Sequence, residues 1–77
     1  MRYRLHHGNE IIWYFANDDE EAVRQASRMI DLNGAERIHF TVDTNDKKRK
    51  VFIGTKTYRN RRNTTNGRLN GQPFSIP

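Results

Sequence analysis

The side chains best suited to binding chemistry lie in one short basic segment, residues 58–62. Guanidinium groups can hold phosphate oxygens in pairs, a tyrosine ring can stack on a base, and asparagine can bond to base edges. The segment consists of Tyr58, Arg59, Asn60, Arg61 and Arg62. We therefore predict that it contacts nucleic acid. The alternative is a solubilising segment without a specific partner.

The formal net charge of +5 comes entirely from the C-terminal part of the chain. Residues 1–55 contain nine Lys and Arg against nine Asp and Glu, whereas residues 56–77 contain no acid. The basic residues of this second part are Lys56, Arg59, Arg61, Arg62 and Arg68. Such asymmetry favours a polyanionic or acidic partner.

A second basic cluster precedes the last predicted strand. It consists of Lys47, Lys48, Arg49 and Lys50. Asp43 and Asp46 partly cancel its field, and charged residues also protect a sheet edge from unwanted pairing. We expect this cluster to be either such a guard or a second phosphate contact beside Tyr58 and the arginines that follow it.

Catalytic and metal-binding arrangements are absent from the sequence. His6 and His7 are adjacent, so on a strand they point to opposite faces and form a poor chelating pair. The chain has no cysteine to complete a zinc site or a disulfide. Neither a glycine-rich phosphate loop nor a nucleophile motif is present. We predict a protein that is not an enzyme and that needs no cofactor or metal.

One helix is predicted over residues 18–32. Asn17 can cap its N-terminus, Glu20 can complete a capping box, and acidic residues fill the first turn. Its apolar residues recur at spacings of three and four, the period of a helix with one buried side. Asn33 and Gly34 can supply the left-handed conformation that ends a helix.

The remaining segments predict strands and a tail. Residues 3–7 and 11–15 flank a Gly-Asn turn, residues 37–42 alternate between apolar and polar side chains, and residues 47–55 follow an Asp-Thr-Asn-Asp turn. The fold class is therefore α+β, a ββαββ chain with a four-stranded antiparallel sheet packed on one helix. We predict a domain over residues 1–55 and a basic, Asn/Arg-rich C-terminal tail over 56–77 that is mobile when free.

A single helix can cover only one face of such a sheet. Depending on register, the other face would hold some of the basic, aromatic and apolar residues of the strands, namely Arg4, His6, Ile12, Tyr14, His39, Thr41 and Phe52. Three uses of that face stay open. It could bind single-stranded nucleic acid, form a homodimer, or be covered by Phe74 and Ile76 of the tail.

The pattern of residues 16–55 resembles small phage-encoded proteins that fold as a short sheet against one helix, including compact anti-CRISPR proteins. The likeness is carried by the segments Ala16 to Ala22, Ala26 to Arg28 and His39 to Asp43. It implies an inhibitor that docks on a host nucleoprotein complex or defence protein. With a neutral body and a basic tail, this chain would dock on an acidic protein patch or on exposed nucleic acid rather than imitate DNA.

Together these observations predict a small basic module that binds nucleic acid or a nucleoprotein complex through its C-terminal arm. The alternative is the anti-CRISPR-like inhibitor, acting by protein–protein contact. A third hypothesis is an assembly subunit that docks through residues 72–77. No apolar run approaches the roughly 20 residues of a membrane span, so we expect no membrane partner and a cytoplasmic location, in the host cytoplasm if the protein is phage-encoded.

Overall fold

A computed structural model describes residues 1–44, 49–59, 62–69 and 72–76. In these residues one helix and six strands follow in the order ββαββββ, which confirms the predicted α+β class. The elements are β1 (Arg2–His7), β2 (Glu10–Phe15), α1 (Asp19–Met29), β3 (Arg37–Thr44), β4 (Lys50–Arg59), β5 (Arg62–Leu69) and β6 (Gln72–Ile76). The strands form one antiparallel sheet in the order β2-β1-β3-β4-β5-β6.

The prediction of four strands is wrong in number, because the segment expected to be a tail supplies more of the sheet. The expected boundary after Thr55 falls inside β4, which continues to Arg59. Residues 62–69 pair with β4, and residues 72–76 pair with β5. Residues 72–76 of the stretch proposed as a docking peptide thus form β6, an edge strand of the protein's own sheet. Backbone pairing orders this polar segment without the alternation of apolar side chains that sequence reasoning requires.

The helix begins one residue later and ends earlier than predicted. Asp18, not Asn17, is the N-cap, and its carboxylate accepts a hydrogen bond from the backbone N–H of Glu21 at 2.8 Å. The carboxylate of Glu21 in turn accepts from the backbone N–H of Asn17 at 3.0 Å. After α1 the chain is extended at Ile30, and Asn33 takes the left-handed conformation (φ 48°) in the following turn instead of at the helix end.

The core lies between α1 and one face of the sheet. Tyr3 and Leu5 of β1 and Val42 of β3 are fully buried beneath Val23 and Ala26 of the helix. Paired residues of antiparallel strands point to the same side, so the register assigns the paired strand residues to a face. The sequence alone did not assign Ile12, Tyr14 and Phe52 to a face. The register and the core contacts place these three residues on the helix side.

Polar contacts fasten both ends of α1 to the sheet. Near its N-terminus, Asp19 accepts a hydrogen bond from the Tyr3 hydroxyl at 2.9 Å and pairs with Arg49 at 3.2 Å. At its C-terminus, the Nζ atom of Lys56 donates to the carbonyl oxygens of Ser27 and Ile30 at 2.5 and 2.6 Å. The helix therefore covers one face of the sheet. We call the opposite face the open face.

Candidate nucleic-acid interface

The open face is formed by alternate residues of the strands. The register places Arg2 and Arg4 on it from β1, and Trp13 and Phe15 lie beside them on β2. Its central strands contribute the basic and polar residues Arg37, His39, Thr41, Asp43, Lys50, Thr55 and Arg68, together with the apolar Ile53. Because the tight turn at Gly8 fixes how β1 and β2 pair, one hairpin aligns two arginines with two aromatic rings.

Two arginines stack on the single tryptophan at one corner of this face. The guanidinium carbon of Arg2 lies 4.8 Å from the centroid of the Trp13 ring, and that of Arg4 lies 5.3 Å from it. Trp13 is nevertheless 44% exposed, and Phe15 next to it is 71% exposed. We call these four residues, Arg2, Arg4, Trp13 and Phe15, the tryptophan corner. Exposed rings beside guanidinium groups can stack on bases while the charges meet phosphates.

Arg4 is held in place by the one acid that the described strands present on the open face. Its Nε and Nη2 atoms donate to the two carboxylate oxygens of Asp43, each at 2.9 Å. His6 lies 3.2 Å from the same carboxylate. Burial alone would raise the pKa of Asp43, but the hydrogen bond from Arg4 and the neighbouring His6 outweigh it and lower the pKa below the ordinary 3.8. Asp43 is thus a carboxylate that orients Arg4 over the tryptophan.

Charge is divided between the two sides of the molecule. Among the open-face strand residues whose side chains the structure describes, five are basic (Arg2, Arg4, Arg37, Lys50 and Arg68) and one, Asp43, is acidic. Six of the nine acids of the chain lie instead in α1 and the segments that flank it. These are Asp18, Asp19, Glu20, Glu21, Asp31 and Glu36. A polyanion approaching this protein is therefore attracted to the open face and repelled from the helix side.

A shallow depression of about 370 Å³ opens on the same face. Its lining includes His6, His39, Thr41, Ile53 and Thr55, and the Nδ1 atom of His39 lies 2.9 Å from the hydroxyl of Thr55. A space of this size, lined by imidazole rings, hydroxyls and apolar side chains, can accept an unstacked base.

The structure distributes the residues of the predicted basic arm over different surfaces. Lys56 is only 5% exposed, and its ammonium group is used at the end of α1, so it cannot serve as a surface contact. Burial lowers the pKa of Lys56, and Asp31 opposes part of that shift. Tyr58 is exposed, but it has the same parity as Lys56 along β4 and lies beside Leu32 and Ala35 on the helix side. Arg49 pairs with Asp19, also on the helix side.

The other residues of the predicted site lie in different places. Lys50 and Arg68 are exposed on the open face. Arg59 and Arg62 are backbone partners at one end of the β4–β5 pair. Lys47, Lys48 and Arg61 lie outside the described residues. The structure thus brings together a set that sequence reasoning missed in part, with Arg2, Trp13, Phe15 and Arg37 as the additions.

Neither a metal centre nor a membrane segment emerges from the part of the chain that the structure describes. No group of three or more His, Cys, Asp or Glu side chains there could hold a metal ion. The described helix, with 11 residues, is too short and too polar to cross a membrane.

Comparison with known proteins gave no match to any protein-family model, curated protein or solved structure. The likeness to anti-CRISPR proteins therefore stays a prediction.

Proposed function

We propose that this protein is a small non-enzymatic module that binds single-stranded nucleic acid on the open face of its sheet, acting in the cytoplasm. The observation that carries the proposal is the tryptophan corner, where two guanidinium groups lie within 4.8 and 5.3 Å of an exposed indole ring. Sheet surfaces that bind single strands use exposed rings as stacking platforms and basic side chains to follow the backbone.

The proposed path for the strand runs across the open face from the tryptophan corner. Bases would stack on Trp13 and Phe15, and the central depression beside His39 would accept a base turned toward the sheet. Phosphates would meet Arg37 on β3 and Lys50 on β4. The predicted contact through residues 56–62 is thereby replaced, because Lys56 is buried and Tyr58 lies on the other side of the molecule.

The proposal predicts how strongly the binding constant depends on salt concentration. Arg4 is already paired with Asp43, and Arg68 also interacts within the protein. Three basic residues of the open face are therefore counted as neutralising phosphates, namely Arg2, Arg37 and Lys50. For single strands each neutralised phosphate contributes about −0.7 to the slope of log K against log salt, which gives a slope of about −2. Affinity for an oligothymidylate of about ten nucleotides should then fall about 20-fold between 50 and 200 mM salt.

The test is a fluorescence-anisotropy titration with paired double variants. Replacing Arg2 and Arg37 with Ala should weaken binding and reduce the salt slope by about 1.4. Replacing Arg24 and Arg28 with Ala makes the same change in net charge on exposed positions of α1, and it should leave the slope unchanged. Equal losses of affinity in the two double variants would show that binding depends on net charge and not on the open face. Absence of binding at low salt would reject the function.

A second function is favoured by the exposed apolar side chains. Ile11, Phe15 and Ile53 are more than half exposed on the open face, and exposed apolar groups of this kind often mark protein interfaces. An inhibitor that docks on a host nucleoprotein complex would use the same face. Affinity capture from host lysate with and without nuclease separates the two, since protein contact survives nuclease treatment and nucleic-acid bridging does not.

A further inference from the structure

The outer edge of β2 carries backbone groups that point away from the sheet. β2 is a terminal strand of the sheet, with β1 as its single neighbour in the described residues. Just beyond the strand ends, Met1 and Ala16 exchange two hydrogen bonds, of 3.0 and 3.1 Å. Bonded and non-bonded pairs alternate along antiparallel strands. It follows that Ile12 and Tyr14 direct their backbone groups toward β1.

The intervening residues therefore direct theirs outward. Ile11, Trp13 and Phe15 each present an N–H and a C=O group along the free edge. The same three residues carry the exposed apolar side chains of β2, which are 55%, 44% and 71% exposed. One short strand thus offers both hydrogen-bonding groups and apolar surface to an incoming strand, the combination that β-strand addition uses.

The two edges of the sheet differ in how they are protected. Proteins guard free edges with prolines, charges or bulges. At the far edge, β6 contains Pro73, which has no N–H to donate. β2 contains no proline, Glu10 at its start is its one charged residue, and its pairing with β1 shows no register shift. The edge formed by β2 is unguarded.

We propose that β2 pairs with β2 of a second copy of this chain, antiparallel and around a two-fold axis at Trp13. In this register Trp13 faces Trp13 of the second copy, and Ile11 faces Phe15. It is the one antiparallel register in which all three outward-facing residues of each copy find an outward-facing partner. Glu10 then faces Ala16, so no like charges meet. The contact is isologous, which suits a closed dimer.

Antiparallel pairing keeps paired side chains on the same side, so the open faces of the two copies become continuous. Two tryptophan corners then lie side by side at the junction. If the proposed nucleic-acid function holds, the dimer would bind a longer strand across that junction. The pairing itself does not depend on that function.

The first experiment measures mass against protein concentration by light scattering, without nucleic acid. The wild-type protein should pass from one chain to two as concentration rises. Trp13→Lys places two ammonium groups at the two-fold axis and should keep the protein monomeric. Ile53→Lys makes the same kind of change on the open face away from the edge, and it should dimerise as the wild type does. The reverse result would show face-to-face stacking and overturn the proposal.

The second experiment uses the wild-type chain alone, and so stays decisive if Trp13→Lys does not fold. Amide hydrogen exchange should slow with rising concentration at Ile11, Trp13 and Phe15, whose N–H groups become bonded in the dimer. It should not change at Ile12 and Tyr14, which are already bonded to β1. A protein that stays monomeric up to its solubility limit, or one whose odd-numbered β2 amides stay unprotected as it dimerises, would refute edge pairing. Either result leaves the proposed nucleic-acid function standing.

Discussion

Replacing Lys56 with Met should destabilise the protein strongly and leave its binding surface intact. The methionine side chain keeps most of the packing but cannot donate to the carbonyl oxygens of Ser27 and Ile30, which Lys56 contacts at 2.5 and 2.6 Å. Hydrogen bonds to a charged group contribute about 1.5–3 kcal/mol each. The substitution also removes the cost of burying an ammonium group, which offsets part of this loss. We therefore expect the free energy of unfolding to fall by about 2–4 kcal/mol.

That loss is large for a chain of this length. A domain of 77 residues has a free energy of unfolding of about 4–12 kcal/mol. With a urea dependence of about 1 kcal/mol per M, the unfolding midpoint should fall by about 2 M or more. Urea titration followed by circular dichroism measures this shift. The control is Lys50→Met, an exposed position on the same strand, which should change stability by less than about 0.5 kcal/mol.

The opposite pattern would refute this assignment of Lys56. In that case Lys56→Met would unfold at the wild-type urea concentration and lose affinity for an oligonucleotide. That result would show that the ammonium group contacts the ligand at the surface and does not stabilise the C-terminus of α1. The reasoning would also fail if Lys50→Met were as destabilising as Lys56→Met, since burial of the ammonium group would then not explain the effect.

Three further predictions concern acid stability, the sheet and the site. The pKa of Asp43 lies below 3.8, so its pairing with Arg4 stabilises the fold above that pH and is lost as the pH falls through the lower, folded-state pKa. Urea titrations at decreasing pH should show this loss of stability, and the loss should be smaller in Asp43→Asn. Gly67→Ala should cost about 2–3 kcal/mol in the same assay, because the added methyl group would lie 2.5 Å from the ring of Phe52, and an unchanged midpoint would contradict that packing. Trp13→Ala should weaken oligonucleotide binding by about 1–3 kcal/mol in an anisotropy titration, and unchanged affinity would exclude stacking on this ring.

Local sequence chemistry predicted the first half of the fold well. The Gly-Asn turn and its flanking apolar segments gave the β1–β2 hairpin, and a capped, periodic segment gave α1. The helix start differed by one residue because Asp18 and Asn17 are both good caps. Asp18 accepts from the N–H of Glu21, and the carboxylate of Glu21 accepts from the N–H of Asn17. The helix ends earlier than predicted, at Met29, and the extended residue Ile30 that follows buries its side chain in the core. Local capping rules do not include such a tertiary contact.

The last two strands could not be predicted because tertiary contacts order them. Thr65 is fully buried, and its hydroxyl lies 2.5 Å from that of Ser27 on α1. Gly54 and Gly67 face each other on β4 and β5 beneath the ring of Phe52, which covers a site where a side chain would not fit. A segment of threonine, asparagine and glycine looks like a tail in isolation because its partners lie elsewhere in the chain.

Part of the candidate site could have been predicted from the sequence. A two-residue turn between His7 and Glu10 pairs Arg4 with Trp13, and this register leaves the tryptophan on the same face as the alternating arginines of β1. The register of this hairpin alone is enough to place the residues of the tryptophan corner on one face. Net charge pointed instead to residues 56–62, because charge counts record the number of basic residues and not the buried position of Lys56.

The most direct test of the central claim uses the intrinsic fluorescence of Trp13, the only tryptophan in the chain. Titration with an oligothymidylate at low salt should quench this fluorescence to saturation as bases stack on the indole, and added salt should restore it. Binding that is detected by anisotropy but leaves Trp13 unquenched would place the nucleic acid elsewhere and contradict the assignment of the open face.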